Sequence, residues 1–122
     1  MKLTYDLLEN IIVTALEGGS NYWYYLPDPP KRKKNDEFND DPLSIRIAKE
    51  LWFNENYQLQ VTDVENPGEH LGYVTKESMQ KALDKAMVHY PHAIANFISG
   101  DYDADDADII FQLATMGDVV YG

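Results

Sequence analysis

Cysteine is absent from the 122-residue chain. That removes disulfides, a thiolate nucleophile, iron–sulfur ligation and the common zinc-ribbon layouts together. Long apolar runs are missing as well. No stretch approaches the roughly 20 residues that a helix needs to cross a bilayer, and Asp6 and Glu9 interrupt the region where a signal peptide is apolar. A cytoplasmic location without membrane contact is expected. Positive charge is scarce, with 10 Lys and Arg against 21 Asp and Glu and a formal net charge of -11. Such an excess repels nucleic-acid phosphates, so direct DNA or RNA binding is not expected. What the chain does have is apolar material: 44% hydrophobic and 12% aromatic residues, nine of them Tyr. This suffices for one packed domain over residues 1–122.

The spacing of Leu8, Ile11, Ile12, Ala15 and Leu16 predicts a helix capped by Thr4, and Gly18-Gly19 is expected to close it near Glu17 with a left-handed residue. The aromatic run within Ser20–Leu26 predicts a strand ended by Pro27. Charge and Pro between Asp28 and Asp41 predict a mobile loop. Asp41-Pro42 is expected to cap a second helix, marked by Leu43, Ile47, Ala48, Leu51 and Trp52 and ending near Asn54. Alternation of Tyr57, Leu59 and Val61 predicts a strand, which Leu71–Val74 rejoins as a hairpin across Glu65–Glu69. Thr75 is expected to cap a third helix that Pro91 breaks or kinks, and a short fourth helix runs through Ile94, Phe97 and Ile98 to Gly100. The final helix starts among Asp101, Asp103, Asp105, Asp106 and Asp108, then turns apolar almost all round through Met116. Such a helix belongs between other elements. The expected fold is α+β, with four to five helices on a small antiparallel sheet and the last helix central.

Asp101, Asp103 and Asp105 have the alternate spacing that opens an EF-hand loop. Asp106 stands where the loop needs Gly and Gln112 where it needs a bidentate Glu, so acidic capping of a helix is the preferred reading. His89 and His92 are three apart near Pro91 and form a second weak metal candidate, with His70 or an Asp as third ligand. No metal or cofactor is expected. There is no Gly-x-Ser-x-Gly elbow and no phosphate-gripping glycine loop, and an enzyme is the less favoured class. The candidate ligand or partner residues are instead Asn21, Tyr22, Trp23 and Tyr25, followed by the basic tetrad Lys31, Arg32, Lys33 and Lys34. Exposed aromatics stack on bases or anchor interfaces, and a basic loop on an acidic body can grip phosphate.

The segment Ala15-Leu16-Glu17-Gly18-Gly19-Ser20-Asn21-Tyr22-Trp23 and the ending Ala107–Gly122, with its Ala-Asp helix and Gly-x-Val-x-Tyr-Gly tail, resemble small proteins of unknown function encoded by bacteriophages and prophages. The centre is similar too, with a strand ending near Asp63-Val64-Glu65 and a helix entered at Val74-Thr75. The resemblance assigns no reaction and no catalytic residue. It implies a non-enzymatic accessory protein that binds a host protein, in a counter-defence role or as an acidic mimic of nucleic acid. The alternative is a protein that sequesters a nucleotide-like molecule through the aromatic and basic residues at 22–34. A homo-oligomer is expected in either case, because exposed aromatic strand edges seek partners.

Overall fold

A computed structural model describes residues 1–31 and 40–122. The element order is α1 (Tyr5–Thr14), a π-helical turn (Ala15–Gly19), β1 (Tyr24–Tyr25), α2 (Leu43–Phe53), β2 (Leu59–Asp63), β3 (His70–Val74), α3 (Lys76–His89), α4 (Pro91–Ser99) and α5 (Ala104–Met116). The three strands form one antiparallel sheet in the order β1-β2-β3. This is the α+β architecture expected from the sequence.

Helix starts follow local side-chain chemistry. Thr4 accepts from the Leu7 amide at 3.2 Å. Thr75 and Ser78 exchange side-chain and backbone bonds in a capping box, as do Asp103 and Asp106. Pro91 does break the helical run: α3 ends at His89, Tyr90 turns the chain, and Pro91 opens α4, where its missing N–H costs nothing. Gly100 and Gly117 adopt the left-handed φ values of 83° and 80° that close α4 and α5.

Helix α5 is central. It lies against α1, α3, α4, the π turn and β3, and its residues Asp106–Thr115 are buried apart from the half-buried Ile109. The β3 backbone comes so near to α5 that a Cβ on Gly72 would sit 2.0 Å from the Thr115 carbonyl oxygen. The core joins Leu8, Ile11 and Ile12 of α1, Ile47 and Leu51 of α2, Leu59 and Val61 of β2, Met79 and Leu83 of α3, and Ile110 and Phe111 of α5.

Four local expectations are corrected. The first helix does not stop at a left-handed glycine pair. It widens into a π turn whose Ser20 amide reaches back five residues to the Ala15 carbonyl at 2.9 Å. The aromatic strand is only Tyr24–Tyr25, because the Trp23 amide bonds the Ser20 carbonyl at 3.2 Å and turns the preceding residues. Strict alternation of faces therefore fails, and the adjacent Trp23 and Tyr24 are both buried. Asp41 does not cap α2. Pro42 holds that position without a side-chain bond, and Asp41 accepts from Lys49 at 2.7 Å. Leu43, placed on the buried stripe of α2 by its spacing, is exposed.

Candidate functional site

The residues carrying the aromatic motif converge on one carboxylate. The π turn delivers Ser20 inward, with 0% of its surface exposed, and the tight turn after it points Trp23 the same way. Both meet Asp108, one turn into α5. Its Oδ1 accepts from Ser20 Oγ at 2.7 Å and Trp23 Nε1 at 2.8 Å. Its Oδ2 accepts from the Tyr22 hydroxyl at 2.6 Å and Gln112 Nε2 at 2.9 Å. A carboxylate has about four acceptor positions, and all of them here point at protein donors. Burial and the bond to Asp108 push the Tyr22 phenol up to about 12.

Gln112 extends the network to the segment after α5. Its Oε1 accepts from the Val120 and Tyr121 amides at 2.8 and 2.9 Å, and its Nε2 donates to the Tyr121 carbonyl at 2.9 Å. The Tyr121 ring stacks on Trp23, with centroids 5.4 Å apart and planes 12° from parallel. Its hydroxyl donates to Asp63 Oδ2 at 3.2 Å. Asp63 Oδ1 accepts the Glu65 and Asn66 amides at 2.8 and 3.2 Å, closing the hairpin turn. The Glu65 amide, with Asn66 and Tyr121, holds the Asp63 carboxyl below its ordinary range despite some opposing burial.

Chemically, this arrangement fastens rather than reacts. Ser20 donates its proton to a carboxylate with no histidine between them and has no surface from which to attack a substrate. Trp23 is 2% exposed, lying against Tyr24, Phe111 and Tyr121, so neither ring face is open for a base.

The other candidate residues are dispersed. Asn21 and Lys31 are exposed, Tyr25 donates to the Pro67 carbonyl at 2.9 Å, and Arg32, Lys33 and Lys34 lie outside the described residues, as does most of the loop expected over 28–41. Asp103 caps α5, Asp101 accepts from Ser99 at 3.4 Å, and Asp105 is exposed. His89 and His92 are exposed at the end of α3 and the start of α4. Among the described residues, no group of three or more His, Asp or Glu is placed to hold a metal ion. The members of the cluster that sequence reasoning misses are Ser20, Asp63, Asp108, Gln112 and Tyr121. Two polar side chains four apart in the otherwise apolar stretch Ala107 to Ala114, Asp108 and Gln112, are the signal the sequence offers, because buried polar groups require partners.

A separate open groove of about 790 Å³ lies between the N-terminal residues, the end of α2 and the start of α3. Lys76 places its ammonium 3.7 Å from the centroid of the Trp52 ring in its wall. On the outside, three ion pairs form among the described residues, Lys49–Asp41, Lys81–Glu77 and Lys85–Asp118. Asp6, Asp28, Glu55, Glu65, Glu69, Asp84, Asp101 and Asp105 are exposed and belong to none of these pairs.

Fold and site together define a small α+β domain with a saturated internal polar cluster and an acidic exterior. The chain matches no family model, no curated protein and no solved structure. Among the described residues no helix is long and apolar enough to cross a membrane.

Proposed function

We propose that the protein works by binding, as a phage or prophage accessory protein whose acidic exterior docks on a basic surface of a host protein. The observation that carries this reading is the contrast in how its carboxylates are used. Asp108, the most elaborately bonded, has both oxygens occupied by protein donors. Among the described residues the exposed carboxylates are many, and few pair with a described cation. Uncompensated surface charge steers association with an oppositely charged partner. A counter-defence role fits that chemistry, since an acidic face competes for sites built to receive nucleic-acid phosphates.

The test is capture from host lysate by the immobilised protein and by a charge-reversed variant carrying Glu65→Lys, Glu69→Lys, Asp101→Lys and Asp105→Lys. A defined host protein retained by the native chain, released by salt and lost with the variant is the expected result. Retention of the same partner by the folded variant, or no partner at all, would overturn the reading.

A further inference from the structure

The segment 118–122 is held in the way that a peptide is held by a receptor. One carboxamide, Gln112, accepts from the Val120 and Tyr121 amides and donates to the Tyr121 carbonyl, reading the backbone of two successive residues. The ring of that residue lies flat on Trp23 and its hydroxyl reaches Asp63. Gln112 Nε2 and Trp23 Nε1 both donate to Asp108, at 2.9 and 2.8 Å, so each of these receiving side chains has an anchor that the segment does not supply. Beyond Tyr121, only the half-buried Val119 of the segment packs against the core. Gly117, Asp118, Val120 and Gly122 are exposed, and Lys85 bonds the Gly117 carbonyl and Asp118 at the surface. Gly117 ends the helix in left-handed backbone, φ 80°, and turns the chain from α5 toward the docked residues.

We propose that Trp23, Gln112 and Asp63 form a recognition site for an extended peptide bearing tyrosine, of the type Val-Tyr-Gly, which residues 118–122 fill in cis and which the same segment of a second copy can fill in trans. Pre-positioned receiving groups lower the ordering cost of the incoming strand. Apart from the surface Lys85–Asp118 ion pair, the contacts are ring stacking and amide bonds, with a single hydrogen bond to the Asp63 carboxylate. Binding here is therefore expected to persist at high ionic strength, where docking through the acidic exterior is released, and the two can fail separately.

The experiment uses a chain lacking residues 118–122 and the acetylated peptide Gly-Asp-Val-Val-Tyr-Gly, followed by isothermal titration calorimetry at low and high salt. Saturable binding is expected, weakened about tenfold or more when the peptide's tyrosine is replaced by alanine, and abolished by Gln112→Ala in the shortened chain. A shortened chain that is folded by circular dichroism and takes up no peptide at millimolar concentration would overturn the site. If the shortened chain does not fold, the full chain carrying Tyr121→Ala serves instead. A peptide-dependent rise in its melting temperature supports the site, and no rise overturns it. Exchange between copies is read by mixing isotopically light and heavy full chains at high concentration. Mixed dimers in native mass spectra that disappear with Tyr121→Ala support trans occupancy, and none at all overturns that part of the proposal.

Discussion

Asp108 and Asp63 are both carboxylates with fully protein-supplied partners, and they respond to substitution in different ways. Asp108→Asn keeps the size and turns one acceptor oxygen into a donor, which then faces the Tyr22 hydroxyl or Gln112 Nε2 across less than 3 Å. Leaving donors buried without acceptors costs about 1–3 kcal/mol, and a fall of that size is expected in chemical denaturation. Tyr22→Phe removes only the most exposed of the four donors, so its cost falls at the lower end, at about 1 kcal/mol. The Asp63 carboxyl is lowered in the folded protein, first by the Glu65 amide. Its contribution is therefore present above the ordinary carboxylate value of 3.8 and is lost as pH falls through the lower folded value. Melting temperature followed from about pH 5 down to about pH 2.5 should drop less steeply in Asp63→Asn than in the native chain. Equal slopes would mean that Asp63 adds nothing to acid sensitivity.

At the scale of elements, the approach of β3 to α5 is set by an absent side chain. Gly72→Ala would put a methyl group 2.0 Å from the Thr115 carbonyl oxygen, a backbone atom that moves only if helix or strand moves. Overpacking of a core contact costs about 1–3 kcal/mol or more, and the expected loss lies at the upper end. Gly68→Ala, in the hairpin turn with nothing within 4 Å of the added carbon, is the matched control and should stay within about 0.5 kcal/mol. Unfolding curves for the two variants decide whether the helix–strand approach is rigid. Elements whose start and stop depend on near neighbours in the chain are legible in the sequence. Thr75 with Ser78, Asp103 with Asp106, Pro91 and Gly117 all act within four positions, and α3, α4 and α5 begin or end on them. The aromatic strand is shorter than its residues suggest because propensity registers ring content and not the turn that Ser20 and Trp23 make. Asp41 departs from its expected capping role for a similar reason, since its partner Lys49 is eight residues away. The Asp108 cluster is least legible of all. Its bonds from Ser20, Tyr22 and Trp23 span 85 to 88 positions, and no local period records them.

For the molecule as a whole, a net charge of -11 on a 14.0 kDa chain sets the exterior against itself. Self-repulsion of like surface charge destabilises the compact state, and added salt relieves it because the Debye length falls from about 30 Å at 0.01 M to about 3 Å at 1 M. Salt also weakens ion pairs, and here the pairs are three among the described residues, Lys81–Glu77 being largely exposed. Relief therefore outweighs loss. Melting temperature should rise with sodium chloride between about 0.02 and 0.5 M, by the few degrees that correspond to about 1 kcal/mol in a domain of this size. Reversing Glu65, Glu69, Asp101 and Asp105 to lysine moves the net charge toward zero, and the salt response should shrink with it. This links stability to the proposed docking. Carboxylates that repel one another in the isolated domain are those a basic partner would neutralise, so a captured host protein should raise the melting temperature most at low salt. A partner that stabilises equally at both ionic strengths would be using a different surface from the exposed carboxylates.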